Sequence, residues 1–158
     1  MKKALASAFL IGCMVSSVQA APLVDNLYVL IERPTRVEQA CGITKEGLEA
    51  SAKSALRYNR IGYGEIDKAE AVLYINTHGV NTGSLCAMDE EVQILDRIET
   101  VSPKGGKQMV AMKVYCSKAT LLTGTSSDIG SRIYNNIKPL VDKCLLEMEE
   151  RADILKQR

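Results

Sequence analysis

Hydrophobic and polar positions change period several times along the chain, and each change predicts an element. Residues 26–32 (NLYVLIE) put Leu27, Val29 and Ile31 on one parity and Tyr28, Leu30 and Glu32 on the other, as a strand covered on at least one face does. Pro34, which has no N–H, ends it. Thr44 is a candidate N-cap with Glu46 in the first turn. Leu48, Ala52, Ala55 and Leu56 then recur at helical spacing up to Asn59, and Gly62 and Gly64 close the segment. Residues 69–77 (AEAVLYINT) predict a second strand, and residues 78–88, with Gly79, Asn81 and Gly83, a loop. Residues 91–101 predict a third strand with Val92, Ile94 and Ile98 on one parity. A turn at 102–107 (SPKGGK) brings the chain back as a fourth strand over 108–122. Thr125 and Asp128 stand at capping-box spacing before a long helix whose stripe is Ile129, Ile133, Ile137, Leu140, Val141, Cys144, Leu145 and Met148. Pro139 is expected to kink that helix without ending it, and the charged tail from Glu149 to Arg158 to fray. The order β-α-β-β-β-α predicts an α+β sandwich: a four-stranded mixed sheet with two helices on one face.

If the helices cover Leu27, Val29, Ile31, Leu73, Ile75, Val92, Ile94, Val110, Met112 and Val114, the opposite parity carries Tyr28, Leu30, Val72, Tyr74, Leu95, Met109 and Tyr115. Antiparallel sheets with one wet face usually show polar residues there. Tyr28, Leu30, Tyr74, Leu95 and Tyr115 are therefore the candidate partner-binding residues, for a second protein or a second copy of the chain. The alternative is that the aliphatic stems of Arg97, Lys113 and Glu99 cover them.

At 158 residues and 46% hydrophobic, the chain fits one domain after a leader. Residues 1–20 have the pattern of a secretory signal peptide: Lys2 and Lys3, an uncharged apolar run over 4–18, and the small-residue ending Val18-Gln19-Ala20. Cleavage after Ala20 leaves residues 21–158 as a single domain, periplasmic or secreted. About 15 apolar residues fall short of the ~20 that span a bilayer as a helix. The competing reading is the lipobox-like Leu10-Ile11-Gly12-Cys13, where lipidation of Cys13 would hold the protein at a membrane. The formal charge is +1, and losing Lys2 and Lys3 leaves 18 basic against 19 acidic side chains, or −1. Such a balance gives no general attraction for nucleic acid.

Four cysteines follow the leader: Cys41, Cys86, Cys116 and Cys144. In an exported chain an even number predicts two disulfides. The zinc alternative has no Cys-x-x-Cys or Cys/His pair behind it, and no metal or cofactor site is expected. Chain direction puts Cys41, just before the first helix, and Cys86, in the loop before the third strand, at one end of the sheet. Cys116 lies about eight residues before the end of the fourth strand, and Cys144 about seventeen into the last helix, so each sits roughly 25 Å from that end. Bridged Cα atoms approach within ~7 Å, so the predicted pairs are Cys41–Cys86 and Cys116–Cys144. The second would join the last helix to strand four and stabilise by about 3 kcal/mol.

His78 is the only histidine, and with Ser84, Asp89 or Glu90 nearby in space it would be the centre of a small secreted hydrolase. The acidic run Asp89-Glu90-Glu91 is otherwise a solvated loop, Lys104-Gly105-Gly106-Lys107 an exposed hairpin tip, and Gly124-Thr125-Ser126-Ser127 a helix start. No catalytic constellation is assigned. The Gly62/Gly64 turn leading into AEAVLYIN, with the closing helix IGSRIYNNIKPLVDKCL, resembles small periplasmic modules of bacterial envelope machinery, such as the amino-terminal domain of TolB and the lipopolysaccharide-assembly lipoprotein. That resemblance implies a non-catalytic protein that docks onto other envelope components, and it transfers no functional residue to a position here.

Overall fold

The computed structural model describes residues 24–101 and 108–156, with side chains over 24–96 and 112–153. The signal peptide read at 1–20, Cys13, the turn at 102–107 and the side chains of Arg97, Glu99, Met109 and Val110 lie outside those described. The elements are β1 (Asn26–Ile31), α1 (Arg36–Ala40), α2 (Lys45–Tyr58), β2 (Gly62–Tyr63), a 3-10 turn (Ile66–Lys68), β3 (Ala71–Asn81), β4 (Leu85–Val101), β5 (Gln108–Thr125) and α3 (Ile129–Lys156). The sheet has five strands in the order β2-β1-β3-β4-β5, with β1 parallel to both its neighbours and β3, β4 and β5 an antiparallel meander.

The core follows from the periods in the sequence. Leu48, Ala52, Ala55 and Leu56 of α2 and Ile129, Ile133 and Ile137 of α3 are fully buried with Leu27, Leu73, Ile75, Val92 and Ile94 in one cluster, so the helices lie on one face of the sheet. Thr44 caps α2 as expected, its hydroxyl accepting from the Gly47 N–H at 3.1 Å. Cys41 bridges to Cys86 with Cα atoms 6.1 Å apart, and Cys116 to Cys144 at 5.4 Å, the pairing that chain direction predicts. Two disulfides suit an oxidising compartment. Among the described residues no helix is long and apolar enough to cross a membrane.

Several expectations are corrected. The sheet has five strands because Gly62 and Gly64 donate to the carbonyls of Asp25 and Leu27, making a parallel strand too short to leave a period. A further helix, α1, follows Pro34, opened by a capping box in which the Thr35 hydroxyl accepts from the Glu38 N–H and the Glu38 carboxylate from the Thr35 N–H. The segment read as a loop at 78–88 is mostly strand. β3 continues to Asn81, the chain reverses over residues 82–84 with Gly83 at φ +91°, and β4 begins at Leu85. Asn81 Oδ1 accepts from the Gly83 N–H at 2.6 Å and fixes this tight turn. Cys86 therefore forms its bridge from within β4, and Asp89, Glu90 and Glu91 are strand residues. Thr125 pairs with Leu85 as the last residue of β5, and its hydroxyl meets that of Ser127 at 3.0 Å. The charged tail is helical to Lys156, and Pro139 lies inside α3.

Candidate functional site

The face of the sheet away from the helices is built in rows that the strand register sets. Tyr28 pairs with Val72, Val72 with Leu95, and Leu95 with Val114. The next row is Leu30, Tyr74, Gln93 and Ser117. Val72 and Leu95 are buried, at 5% and 8% exposure, yet belong to no part of the helix-side core. Beyond them Leu30 is 39%, Met112 45% and Val114 49% exposed. At the other end of the face, Val80, Leu85 and Leu121 are exposed as well.

Four of the five candidate partner-binding residues, Tyr28, Leu30, Tyr74 and Leu95, stand on this face. Tyr115 does not. A bulge lies where Ile94 pairs with Cys116 but Leu95 pairs with Val114, leaving Tyr115 as the extra residue. On the helix side of the bulge Tyr115 packs against the core, its hydroxyl donates to Asp96 Oδ2 at 2.7 Å, and its carbonyl accepts from Arg151 of α3. The same inversion moves Met112 and Val114, expected under the helices, to the open face, while Cys116 stays in the core. Leu30, Val114, Met112, Val80, Leu85 and Leu121 thus form the exposed apolar set. Sequence parity missed most of it because a bulge and a hairpin read as a loop both hide the phase.

The middle of the face is polar. Gln93 Nε2 and Ser117 Oγ each donate to Glu91 Oε1 at 2.7 Å, and the Tyr74 hydroxyl donates to Glu32. Loss of hydration, reinforced by the Glu32 carboxylate, pushes the Tyr74 phenol up to about 12, so it stays protonated as a donor.

His78 is exposed on β3, its Nε2 2.8 Å from Asn76 Nδ2 and its Nδ1 3.9 Å from Glu38 Oε1. Asp89 is its cross-strand partner, but Glu90 points to the opposite, helix-covered face and Ser84 lies in the turn beyond Asn81. The register thus brings one of the three proposed companions, Asp89, alongside His78. Among the described residues no group of three or more His, Cys, Asp or Glu is placed to hold a metal ion. What the open face can do chemically is desolvate: apolar side chains at both ends flank a hydrogen-bonding strip, the mixture found at protein interfaces. A scan against protein-family models and a search of curated proteins both return no match for the chain.

Proposed function

We propose that this chain is a non-enzymatic protein of the bacterial envelope, exported to the periplasm, that binds a protein partner or a second copy of itself through its open sheet face. The observation that carries the reading is the exposure of Leu30, Met112 and Val114 around the buried Val72–Leu95 pair on a face that no helix among the described residues covers. The disulfides, the signal-peptide pattern of residues 1–20 and the resemblance to envelope-docking modules support the location. Cleavage after Ala20 frees the domain; a diacylglyceryl mass on Cys13 would mark the anchored alternative. The variants that test the interface are Leu30→Lys and Val114→Lys, since both side chains are already partly in water and a lysine there leaves the core untouched. Leu95→Lys is unsuitable because it would bury the ammonium. Each variant should keep the parental unfolding midpoint and weaken self-association or partner capture, measured by sedimentation and pull-down, by about tenfold or more. Sedimentation and capture identical to the parent would count against the open face.

A further inference from the structure

The sheet has two edges, and they are treated differently. Along β5 the outer edge is capped by arginines of α3: Arg132 Nη1 donates to the Thr123 carbonyl and Arg151 Nη1 to the Tyr115 carbonyl, so a second strand would have to displace both. Along β1 the cover is partial. Glu32 donates to Ile75 and the Asn26 carbonyl accepts from Glu70, so even-numbered residues of β1 turn their backbone groups to β3. Odd-numbered residues turn the other way, as Asp25 and Leu27 do in accepting from Gly62 and Gly64. Past Gly64 the chain leaves the sheet for the turn at Ile66–Lys68, and among the described residues no strand continues alongside Val29 and Ile31. Their N–H and C=O groups face a cleft of about 590 Å³ between β1, Tyr63 and the overhanging α2 row of Lys45, Glu49 and Lys53.

We propose that this cleft accepts an extended segment of a partner protein, which adds to β1 as a parallel strand in line with β2. The inference rests on the protein-binding reading above and names a different surface, with the partner's conformation. A backbone ladder recognises a polypeptide and little else. The side chains then set its pattern. Residues of the added strand on the open face adjoin Tyr28 and Leu30 and should be apolar; those on the other face lie beneath α2 and should be polar. Lys45 and Lys53 flank the single Glu49, and Glu65 at the cleft's end is bound to Lys68, so the α2 row keeps one positive charge in excess and calls for an acidic side chain. A second copy of the chain is a poor occupant. The α2 row reads lysine, glutamate, lysine in both directions, so a two-fold pairing of the edges would set like charge against like.

The test is residue-resolved hydrogen exchange by NMR on the disulfide-bonded protein, with a blocked octapeptide alternating valine with threonine and one glutamate as the probe. In the free protein the amides of Val29 and Ile31 should exchange far faster than that of Leu30, which faces β3. Peptide at about ten times its dissociation constant should slow Val29 and Ile31 by about tenfold, and Lys45→Glu should weaken binding by about threefold. The same peptide N-methylated at alternate residues should not bind. Binding that shifts Leu30 and Val114 signals without protecting the Val29 and Ile31 amides would overturn the edge site and leave the open-face reading standing. No binding at all would overturn the edge site, with the open face still judged by the Leu30 and Val114 variants.

Discussion

Glu90 shows what one residue can reveal about the packing. It sits on β4 in phase with Met88, Val92 and Ile94, wholly buried beneath α3, where Asn136 Nδ2 donates to its Oε2 at 2.9 Å and its Oε1 has no hydrogen-bond partner among the described residues. Burial pushes its carboxyl up to about 7, against the Asn136 hydrogen bond that favours the charged form. Well below pH 4.5 the group is protonated in both folded and unfolded chains, and its ionisation contributes nothing to the balance. As pH rises toward 7 the unfolded chain ionises first, so stability falls and then levels off. Glu90→Gln should therefore gain on the parent between about pH 4 and about pH 8, the difference in unfolding free energy widening by about 3 kcal/mol. Urea unfolding at the two pH values measures it, and a difference independent of pH would show that Glu90 is ionised in the fold. The parity of Glu90 with Met88 and Val92 was visible in the sequence. Three consecutive acids nevertheless read as solvated, because glutamate is so rarely buried whole.

The elements were legible wherever a period ran long enough. β1, α2 and the stripe of α3 stand as the alternation and the helical spacing predict, and chain direction alone placed the four cysteines in their pairs. β2 was not legible because two residues carry no period, and α1, five residues long, shows itself in the sequence only through the capping box Thr35-Arg36-Val37-Glu38. The bulge at Tyr115 left no trace in a run of strand formers, and one extra residue was enough to exchange Tyr115 for Val114 and Met112 on the open face. At this scale the arginine caps on β5 carry a prediction. Arg132→Ala combined with Arg151→Ala uncovers the Thr123 and Tyr115 carbonyls while leaving the core intact. It should lower the unfolding midpoint little and raise concentration-dependent light scattering clearly. Scattering unchanged from the parent would mean that α3 itself, without its arginines, shields the edge.

Among the described residues the molecule is a sheet with one face covered by α2 and α3 and tied by two disulfides, and with no helix over the other face. The covered face follows from hydrophobic period and cysteine count. The open face needs the register, because its exposed apolar residues come from both ends of four strands and from beyond a bulge. The proposed docking rests on the open face because, among the described residues, helices cover the other side only and Leu30, Met112 and Val114 stand exposed around the buried Val72 and Leu95. The direct measurement is photocrosslinking in the producing cell, with a benzophenone amino acid placed in turn at Leu30 and Val114 and, as a control on the helix side, at the exposed Leu146. The account predicts the same discrete protein adduct from Leu30 and Val114 and none from Leu146; adducts from Leu146 alone, or none from the two sheet positions, would contradict it.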